Sequence, residues 1–265
     1  MSVEQQHEMV CRLAGQLAQI VVLQQVASTN GWLLERQNPA PLAGRPLALW
    51  ALHQTAGRGR RAKGWFGDPQ HSIALSLEFA RDAAAAARPL TGLPLAVGVA
   101  VVQALATWVP GLGLKWPNDL QRGGRKCAGI LIETRLAPNA QERVVIGVGI
   151  NLLSNDTLRQ AVDQPVCGVF DDSPEPPPAR ATIVAELIRQ LVDCWQQFQR
   201  DGLASYALRW HDLDVLCNQT VQVTDAGQLL HRGIAQGING GGALLVATAD
   251  GVVEIVAADV SVRPG

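Results

Sequence analysis

Residues 115–119 read Lys-Trp-Pro-Asn-Asp, and after a short turn residues 125–130 read Arg-Lys-Cys-Ala-Gly-Ile. This stretch predicts a tight hairpin in the middle of the chain, and the hairpin brings Lys115, Lys126 and the Asp119 carboxylate together. Two ammonium groups beside a single carboxylate leave local positive charge. The hairpin is therefore expected to bind something anionic.

A second basic element precedes the hairpin by about fifty residues. Residues 57–63 read Gly-Arg-Gly-Arg-Arg-Ala-Lys, between Gln54 and Trp65. They lie in a connection of about eighteen residues, a length that favours a functional or disordered segment over a simple turn. Neither common phosphate-loop pattern is present, so phosphate would be bound through side chains. Taken alone, the element could equally be a solvated basic loop or a patch that contacts RNA.

The composition limits the classes of protein to which the chain can belong. With 265 residues, 48% hydrophobic content and a formal net charge of -1, it can bury a real core but lacks a general polyanion-binding charge. The five cysteines show neither a Cys-x-x-Cys pair nor metal-ligand spacing, which indicates reduced thiols. No apolar run reaches the roughly 18–20 residues of a membrane span, and a signal peptide is not recognisable. A cytoplasmic enzyme or binding protein is expected.

The hydrophobic pattern predicts a mixed α/β domain. Alternation is clearest over residues 73–79, while residues 182–200 have a helical period with Thr182 as the expected N-cap. Residues 154–180 are rich in proline and are expected to form a loop or flap. The strand candidates are 20–26, 46–53, 72–79, 112–115, 128–133 and 143–151, and the helix candidates are 93–109, 182–200 and 203–211.

After Leu213 the pattern changes to short strands separated by glycine turns. Residues 240–242 are three glycines, and Asp250 followed by Gly251 is typical of a hairpin turn. About fifty residues of this kind predict a small β-barrel. The expected domains are residues 1–212 and residues 213–265.

Each candidate site residue also has a simpler interpretation. Lys126 could be an ordinary strand-edge lysine, and Asp119 could be only a turn residue. Residues 28–30, Ser-Thr-Asn, could only cap a helix. Residues 147–151, Gly-Val-Gly-Ile-Asn, could be a buried strand whose glycines permit close packing.

Taken together and in order, these pieces closely resemble the motifs of biotin protein ligases. The resemblance covers nearly the whole chain from about Val21. It implies an α+β fold with a mixed sheet and flanking helices, the class II aminoacyl-tRNA synthetase-like catalytic fold of biotin and lipoate ligases, with a small SH3-like C-terminal barrel. Lipoate and octanoyl transferases share the catalytic fold, but the arginine-rich glycine loop and the Lys-Trp-Pro-Asn-Asp signature favour biotin. The motifs that carry the resemblance lie at residues 28–30, 54–61, 65–66, 115–119, 125–133 and 147–151.

The resemblance implies a reaction in two steps. Biotin and ATP, with Mg²⁺, would form biotinyl-5'-AMP and pyrophosphate, and biotin would then pass to a lysine of the biotin carboxyl carrier domain of acetyl-CoA carboxylase or a related carboxylase. Cations placed where negative charge accumulates should supply most of the catalysis in the first step. No tightly bound prosthetic group and no protein-held metal are expected.

The resemblance also assigns roles to residues. Lys126 matches the family lysine between the biotin carboxylate and the α-phosphate, and Arg58 and Arg60 match loop arginines that close over the ligands. Asp119 is a hypothetical base for the carrier lysine in the second step. Biotin would be bound by Ser28, Thr29, Asn30, Gln54, Gly57, Arg58, Gly59, Arg60, Lys126 and Gly129, and ATP by Arg60, Lys63, Lys115, Asn118 and Asn151.

The chain departs from the family pattern at three places. Many bacterial relatives have arginine where Lys63 stands, and an ammonium cannot reproduce a bidentate guanidinium contact. Ala74 replaces a residue that is often bulky in the biotin wall. Only about twenty residues precede the first strand, too few for a winged helix-turn-helix, so no DNA-operator binding and no repressor activity are expected. A homodimer paired through sheet edges is conceivable in this family.

Rival hypotheses come from other classes of protein. A lipoate-type acyltransferase would keep the fold and a central lysine, yet it would not need the glycine-arginine loop. A nucleic-acid-binding module would use the basic loop and the barrel, and would bind in a salt-sensitive way without ATP. A biotin-binding protein without catalysis is a third alternative. No membrane partner is expected.

Overall fold

The computed structural model describes residues 1–36, 45–81, 89–136, 142–225, 228–256 and 260–264. The helices are α1 (Val3–Ala14), α2 (Thr29–Glu35), α3 (Leu93–Leu105), α4 (Asp156–Ala161), α5 (Arg180–Asp201) and α6 (Ala204–Leu213). The strands up to residue 151 are β1 (Gln19–Leu23), β2 (Leu47–Ala51), β3 (Gly57–Arg58), β4 (Gly64–Trp65), β5 (Ser72–Arg81), β6 (Gly113–Lys115), β7 (Asp119–Arg122), β8 (Arg125–Leu136) and β9 (Glu142–Asn151). The later strands are β10 (Thr220–Asp225), β11 (Gln228–Ile238), β12 (Leu244–Thr248), β13 (Gly251–Ile255) and β14 (Val260–Pro264).

A seven-stranded sheet in the order β1-β2-β5-β9-β8-β7-β6 organises the larger part of the molecule. β1 and β2 are parallel and the other neighbours are antiparallel, so the sheet is mixed, as the resemblance implies. The alternating residues 73, 75, 77 and 79 of β5 all enter the main core with α1, α3 and α5. α2 covers the opposite face, where Leu33 packs on Leu47, Leu49 and Val145.

The helix α5 carries its apolar stripe against the sheet. Ile183, Leu187 and Leu191 are fully buried, and the ring of Trp195 stacks on that of Phe79 with centroids 4.8 Å apart. The helix begins two residues earlier than expected, so the prediction of Thr182 as its N-cap is wrong.

The early start of α5 has a tertiary cause. Arg180 donates to the Pro69 carbonyl at 2.7 Å, and its guanidinium lies 6.0 Å from the centre of the Trp50 ring. These contacts hold the first turn of the helix without a side-chain cap. No local sequence pattern reports such a contact across the fold.

The proline-rich segment 154–180 is more regular than the sequence indicates. It contains α4, capped by the Asn155 side chain, which accepts from Leu158 N at 2.8 Å. The backbone after α4 then pairs with β8, since Lys126 N donates to Pro165 O at 3.0 Å and Cys167 N donates to Lys126 O at 2.9 Å. The prediction of an irregular loop is therefore wrong for these two parts of the segment.

The segment is also fixed by one carboxylate. Asp171 accepts hydrogen bonds from Ser154 N at 2.8 Å, Ser154 Oγ at 2.5 Å and Gly168 N at 2.9 Å. Burial opposes the charge, but these donors outweigh it and leave the pKa of Asp171 below its usual value. The ionised carboxylate therefore closes residues 154–171 into a loop with a fixed base.

The C-terminal part forms a five-stranded antiparallel sheet in the order β13-β12-β11-β10-β14. The predicted hairpin at Asp250 is confirmed, because Thr248 and Gly251 are paired across it. The sheet is tied to the larger domain at Gly242, whose carbonyl accepts from Trp116 Nε1 at 3.0 Å. No described helix is long and apolar enough to cross a membrane.

Candidate active site

A row of small residues across three strands forms the floor of the candidate active site. Ala74 on β5 pairs with Gly149 on β9, which in turn pairs with Gly129 on β8. Paired residues of neighbouring strands point to the same face, so the row leaves a depression in the sheet. The indole of Trp65 lies in it: a Cβ on Gly149 would overlap the ring, and one on Gly129 would lie 3.2 Å from Trp65 Cζ3.

A polar network lies on the same face of the sheet, two residues further along β5 and β9. Thr29 donates to Gln54 Oε1 from its backbone nitrogen at 2.7 Å and from its hydroxyl at 3.0 Å. Ser76 Oγ lies 2.6 Å from both Thr29 Oγ1 and Asn30 Oδ1. Gly147, which pairs with Ser76, leaves the space that the Asn30 amide occupies. The network therefore holds four polar side chains in fixed orientations beside the floor.

Glu133 connects this network to the glycine-arginine loop. One of its oxygens accepts from Asn30 Nδ2 at 2.9 Å and the other accepts from Arg58 Nη2. The bond to Glu133 raises the pKa of Arg58 above its usual value. Neither Ser76 nor Glu133 was assigned a role from the sequence, because their partners are remote along the chain. Ser28 caps α2 as expected, accepting from Gly31 N at 3.3 Å.

The glycine-arginine loop folds into a small hairpin of β3 and β4 over the depression. Gly57 lies so close to the β4 backbone that a side chain there would overlap it. Arg60 Nη1 donates to Asn118 Oδ1 at 3.3 Å, and Arg61 forms an ion pair with Asp225 of β10 at 3.6 Å. The hairpin is thus held between the Lys-Trp-Pro-Asn-Asp segment and the C-terminal sheet.

The charged end of the floor is formed by β6, β7 and β8. Lys126 Nζ lies 2.6 Å from Asp119 Oδ1 and 5.8 Å from the centre of the Trp65 ring. Lys115 pairs with Asp119 across the hairpin. Burial lowers the pKa of Lys115; Asp119 opposes this effect, and the charges of Lys126 and Arg263 add to it. The crowding of like charges indicates that an anion belongs at this end.

The cavity is strongly positive. Among the described residues that line it, one side chain is acidic, that of Asp119, and seven are basic. Such an excess inside a partly enclosed space favours a ligand with several negative charges. The basic side chains are those of Arg58, Arg60, Arg61, Lys63, Lys115, Lys126 and Arg263.

The wall of the cavity is completed by two segments to which the sequence analysis gave no role in the site. α4 and the residues after it contribute Leu158, Val162 and Val166, while β14 contributes Val262 and Arg263. The first lies just beyond Asn151, in the segment that was expected to be a loop or flap, and the second lies at the far end of the chain. Only the folded chain brings them to the cavity.

The structure brings the predicted site residues together, with one exception. Gly57 does not line the cavity and instead supports the hairpin. The Asn151 side chain is buried, and its Oδ1 has no hydrogen-bond partner among the described residues. The predicted residues that line the cavity are Ser28, Thr29, Asn30, Gln54, Arg58, Gly59, Arg60, Lys63, Lys115, Asn118, Asp119, Lys126, Gly129 and Asn151.

The sequence matches two family models. Residues 22–151 match the biotin/lipoate A/B protein ligase family, and residues 216–263 match the biotin protein ligase C terminal domain. The first model therefore covers the floor and the basic hairpins, and the second covers the strands that supply Asp225 and Arg263.

Curated relatives are similar over nearly the whole chain. The bifunctional ligase/repressor BirA of Escherichia coli is 33% identical over 251 residues, which cover 92% of this chain and 74% of that protein. The biotin--[acetyl-CoA-carboxylase] ligase of Mycobacterium tuberculosis is 33% identical over 250 residues, covering 91% and 88%.

A solved structure shows the same fold. The biotin protein ligase from Aquifex aeolicus in complex with biotin and ATP aligns with a TM-score of 0.77 at 22% identity, over 93% of this chain and 99% of that one. This likeness shows the shared fold, and the relatives that are 33% identical over most of their own length show the family. The chain belongs to the biotin protein ligases.

Proposed function

We propose that this chain joins biotin to ATP, giving biotinyl-5'-AMP and pyrophosphate, and then transfers biotin to a lysine of a carboxyl carrier domain. The observation that carries the proposal is the cavity lined both by seven basic side chains and by an ordered polar network. Such a cavity suits a small ligand with a polar edge and a carboxylate, placed beside a polyphosphate.

Biotin lies on the floor in this proposal. Its ureido edge meets Thr29, Asn30 and Gln54, and its apolar ring packs near Trp65. Ala74 stands where relatives often have a bulky residue in the biotin wall. Here the Trp65 indole occupies the space above Gly149, the strand partner of Ala74, and takes the place of that bulky residue. The carboxylate end then points toward the charged side chains of β7 and β8.

Gly149→Val should lower the affinity for biotin at least tenfold, which corresponds to about 1.4 kcal/mol. The added side chain would overlap the Trp65 indole and displace it from the floor. Isothermal titration calorimetry with biotin measures the effect. Gly240→Val is the matched control, since nothing lies within 4 Å of a Cβ there. Equal affinities of the two variants would contradict the arrangement of biotin and Trp65.

The first step requires a carboxylate oxygen to attack the α-phosphorus while the bond to the pyrophosphate breaks. Lys126, held at 2.6 Å from Asp119, is placed to stabilise the negative charge that gathers between the two anions. Arg58 and Arg60 act from the hairpin above, and Lys63 and Lys115 neutralise the phosphates. The unpartnered Asn151 Oδ1 would accept from an amino group of the base, near Asn118.

Mg²⁺ enters with the nucleotide in this proposal. No group of three or more His, Cys, Asp or Glu side chains that could hold a metal is found in the described part of the chain. The acidic side chain of the cavity, Asp119, is engaged by Lys126. In this proposal the ion would come bound to the phosphates and would help to neutralise the departing pyrophosphate.

Incubation of the purified protein with biotin, Mg²⁺ and α-labelled ATP tests the function. Labelled biotinyl-AMP is expected with biotin and not with lipoate in its place. If neither acid yields an adenylate, the ligase proposal fails. If lipoate alone is activated, the acyltransferase alternative replaces it.

Asp119→Asn should slow transfer from preformed biotinyl-AMP to a carrier domain by about 10²-fold, the lower end of the range for general bases. The amide keeps the shape of the side chain but cannot take the proton of the incoming lysine. Single-turnover transfer measures this step apart from activation. Asp172→Asn, which removes an exposed partner of Arg125, is the control. Undiminished transfer in Asp119→Asn would rule out the base role.

The proposal extends to organisation and partners. Residues 1–212 are the catalytic domain and residues 213–265 the small domain, a division supported by the end of α6 at Leu213. The carrier is a domain of acetyl-CoA carboxylase or a related carboxylase, and the enzyme acts in the cytoplasm, where its five unpaired cysteines stay reduced. A homodimer and the lack of operator binding stay predictions.

A further inference from the structure

The lysines of the chain are confined to the candidate active site. Of 22 basic residues, three are lysines, and all three line the cavity. The remaining basic residues are arginines, whose guanidinium groups stay protonated and do not act as amine nucleophiles. Lysine amines are therefore absent from every other part of the chain, and this sets which groups can react with an activated acid.

The proposed product of the first step is a mixed anhydride, which acylates neutral amines. It is held within reach of the three lysines, so each is a candidate for reaction with the enzyme itself. Lys126 Nζ lies 2.6 Å from Asp119 Oδ1, so its amine is engaged and oriented by that carboxylate. Its function in the first step also fixes it beside the phosphate.

Lys115 and Lys63 differ in accessibility. Lys115 is partly buried on β6, opposite its strand partner Asp119, so it is less accessible than an exposed lysine. Lys63 is exposed at the end of the turn between β3 and β4. The described part of the chain places no acidic side chain in an ion pair with Lys63. Its flexible four-carbon stem can therefore reach into the cavity from the rim.

We propose that Lys63 is a self-biotinylation site of this enzyme, an inference that rests on the proposed ligase function. The neutral Nζ attacks the carbonyl carbon of biotinyl-AMP, and the new C–N bond replaces the C–O bond to the phosphate. AMP leaves with the bonding electrons, and the amine proton passes to water. The product is a biotinyl amide on Lys63.

Self-biotinylation has a consequence for the cavity. It replaces the Lys63 charge with a neutral, bulky amide at the cavity mouth, within the hairpin that carries Arg58 and Arg60. The modified enzyme should therefore form adenylate more slowly. When no carrier is present to consume the adenylate, activity should fall in step with the modification.

Intact-mass and peptide analysis of the enzyme after incubation with biotin and MgATP, without a carrier, tests the proposal. One biotinyl group is expected. Trypsin should not cleave after the acylated Lys63, so a labelled peptide spanning residues 62–81 should appear. Adenylate formation is measured in the same sample. Adenylate without any label on Lys63 would overturn the proposal and leave the ligase function standing.

Chemically prepared biotinyl-5'-AMP separates the inference from the activation step. Wild type should be labelled by it at Lys63, and Lys63→Arg, which retains the charge but not the amine, should lose at least nine tenths of the label. Label found mainly on Lys115, Lys126 or the amino terminus would overturn the assignment.

A lysine placed elsewhere is the matched control. Arg189→Lys puts an amine on the exposed face of α5, outside the cavity lining. It should gain less than a tenth of the label carried by Lys63 in the same molecule when the adenylate is made by the enzyme. Equal labelling would mean that released adenylate reacts with any exposed amine, and Lys63 would not be a specific site.

Discussion

Lys126→Ala is expected to lower the rate of biotinyl-AMP formation by about 10²–10³-fold, the cost of removing one preorganised charge-stabilising group. Lys126 Nζ is fixed at 2.6 Å from Asp119 and lies 5.8 Å from the centre of the Trp65 ring. In the proposed reaction, this geometry places one positive charge at the end of the floor where the carboxylate would meet the α-phosphate. Without it, the charge held between the two anions is lost, and the basic side chains that remain act from the hairpin above and from β6.

The measurement is a single-turnover assay with α-labelled ATP at saturating biotin and Mg²⁺. Biotin affinity should change less than the rate, because the polar network around Thr29 and Asn30 is remote from the substitution. Lys126→Arg should recover part of the rate, since it keeps the charge but moves it. A combined loss of biotin binding and folding in the alanine variant would instead indicate a structural role.

The neighbouring residue supplies the control for Lys126. Arg125 precedes it on β8 and pairs with Asp172 at 3.2 Å, outside the cavity lining. Arg125→Ala removes one positive charge from the same strand and should retain the rate within about threefold. If both variants lose the same activity, the effect comes from the charge of the strand and not from the position of Lys126.

The sequence alone could predict those features that depend on neighbouring residues. The alternation over residues 73–79 predicted which side of β5 enters the core, because successive side chains of a strand point to opposite faces. The hairpin of Lys115 and Asp119 followed from its turn residues. Such features depend on a few consecutive positions, and they were confirmed.

The remaining features depend on contacts across the fold. Glu133 links Asn30 to Arg58, residues that lie 103 and 75 positions away along the chain. Arg263 reaches the cavity from β14, and Val166 reaches it from a segment that proline content marked as a loop. The row of Ala74, Gly149 and Gly129 depends on strand register, which a single sequence does not fix.

The start of α5 illustrates the same limit at a helix end. Thr182 is a good capping residue, and local preference therefore favoured it. The helix instead begins at Arg180, whose side chain is anchored to Pro69 and Trp50. Tertiary contacts outweighed a capping preference of about 1 kcal/mol.

Arg143→Ala is expected to destabilise the fold by about 3–5 kcal/mol, the cost of leaving a buried charge without its partner. Arg143 Nε and Nη2 bind the two oxygens of Glu78 at 2.7 and 2.8 Å, and the Glu78 side chain is 1% exposed. The same guanidinium donates to the Leu33 carbonyl of α2. Its loss would leave Glu78 with Arg36, whose nearest atom is 3.8 Å away.

The unfolding midpoint should fall by about 10 °C in a thermal melt, given a shift of roughly 2–4 °C per kcal/mol in a domain of this size. Arg189→Ala is the control, because its ion pairs with Glu186 and Asp193 are at the surface and should contribute under about 1 kcal/mol.

A double variant separates the buried charge from the loss of packing. Arg143→Met with Glu78→Met removes both charges and should be more stable than Arg143→Ala, because no unpaired carboxylate remains under α2. α2 carries Thr29 and Asn30, so biotin affinity should follow the same order as stability. If Arg143→Ala melts at the same temperature as the Arg189→Ala control, the buried pair does not hold α2 on the sheet. The orientation of the polar network must then depend on its contacts with Gln54, Ser76 and Glu133.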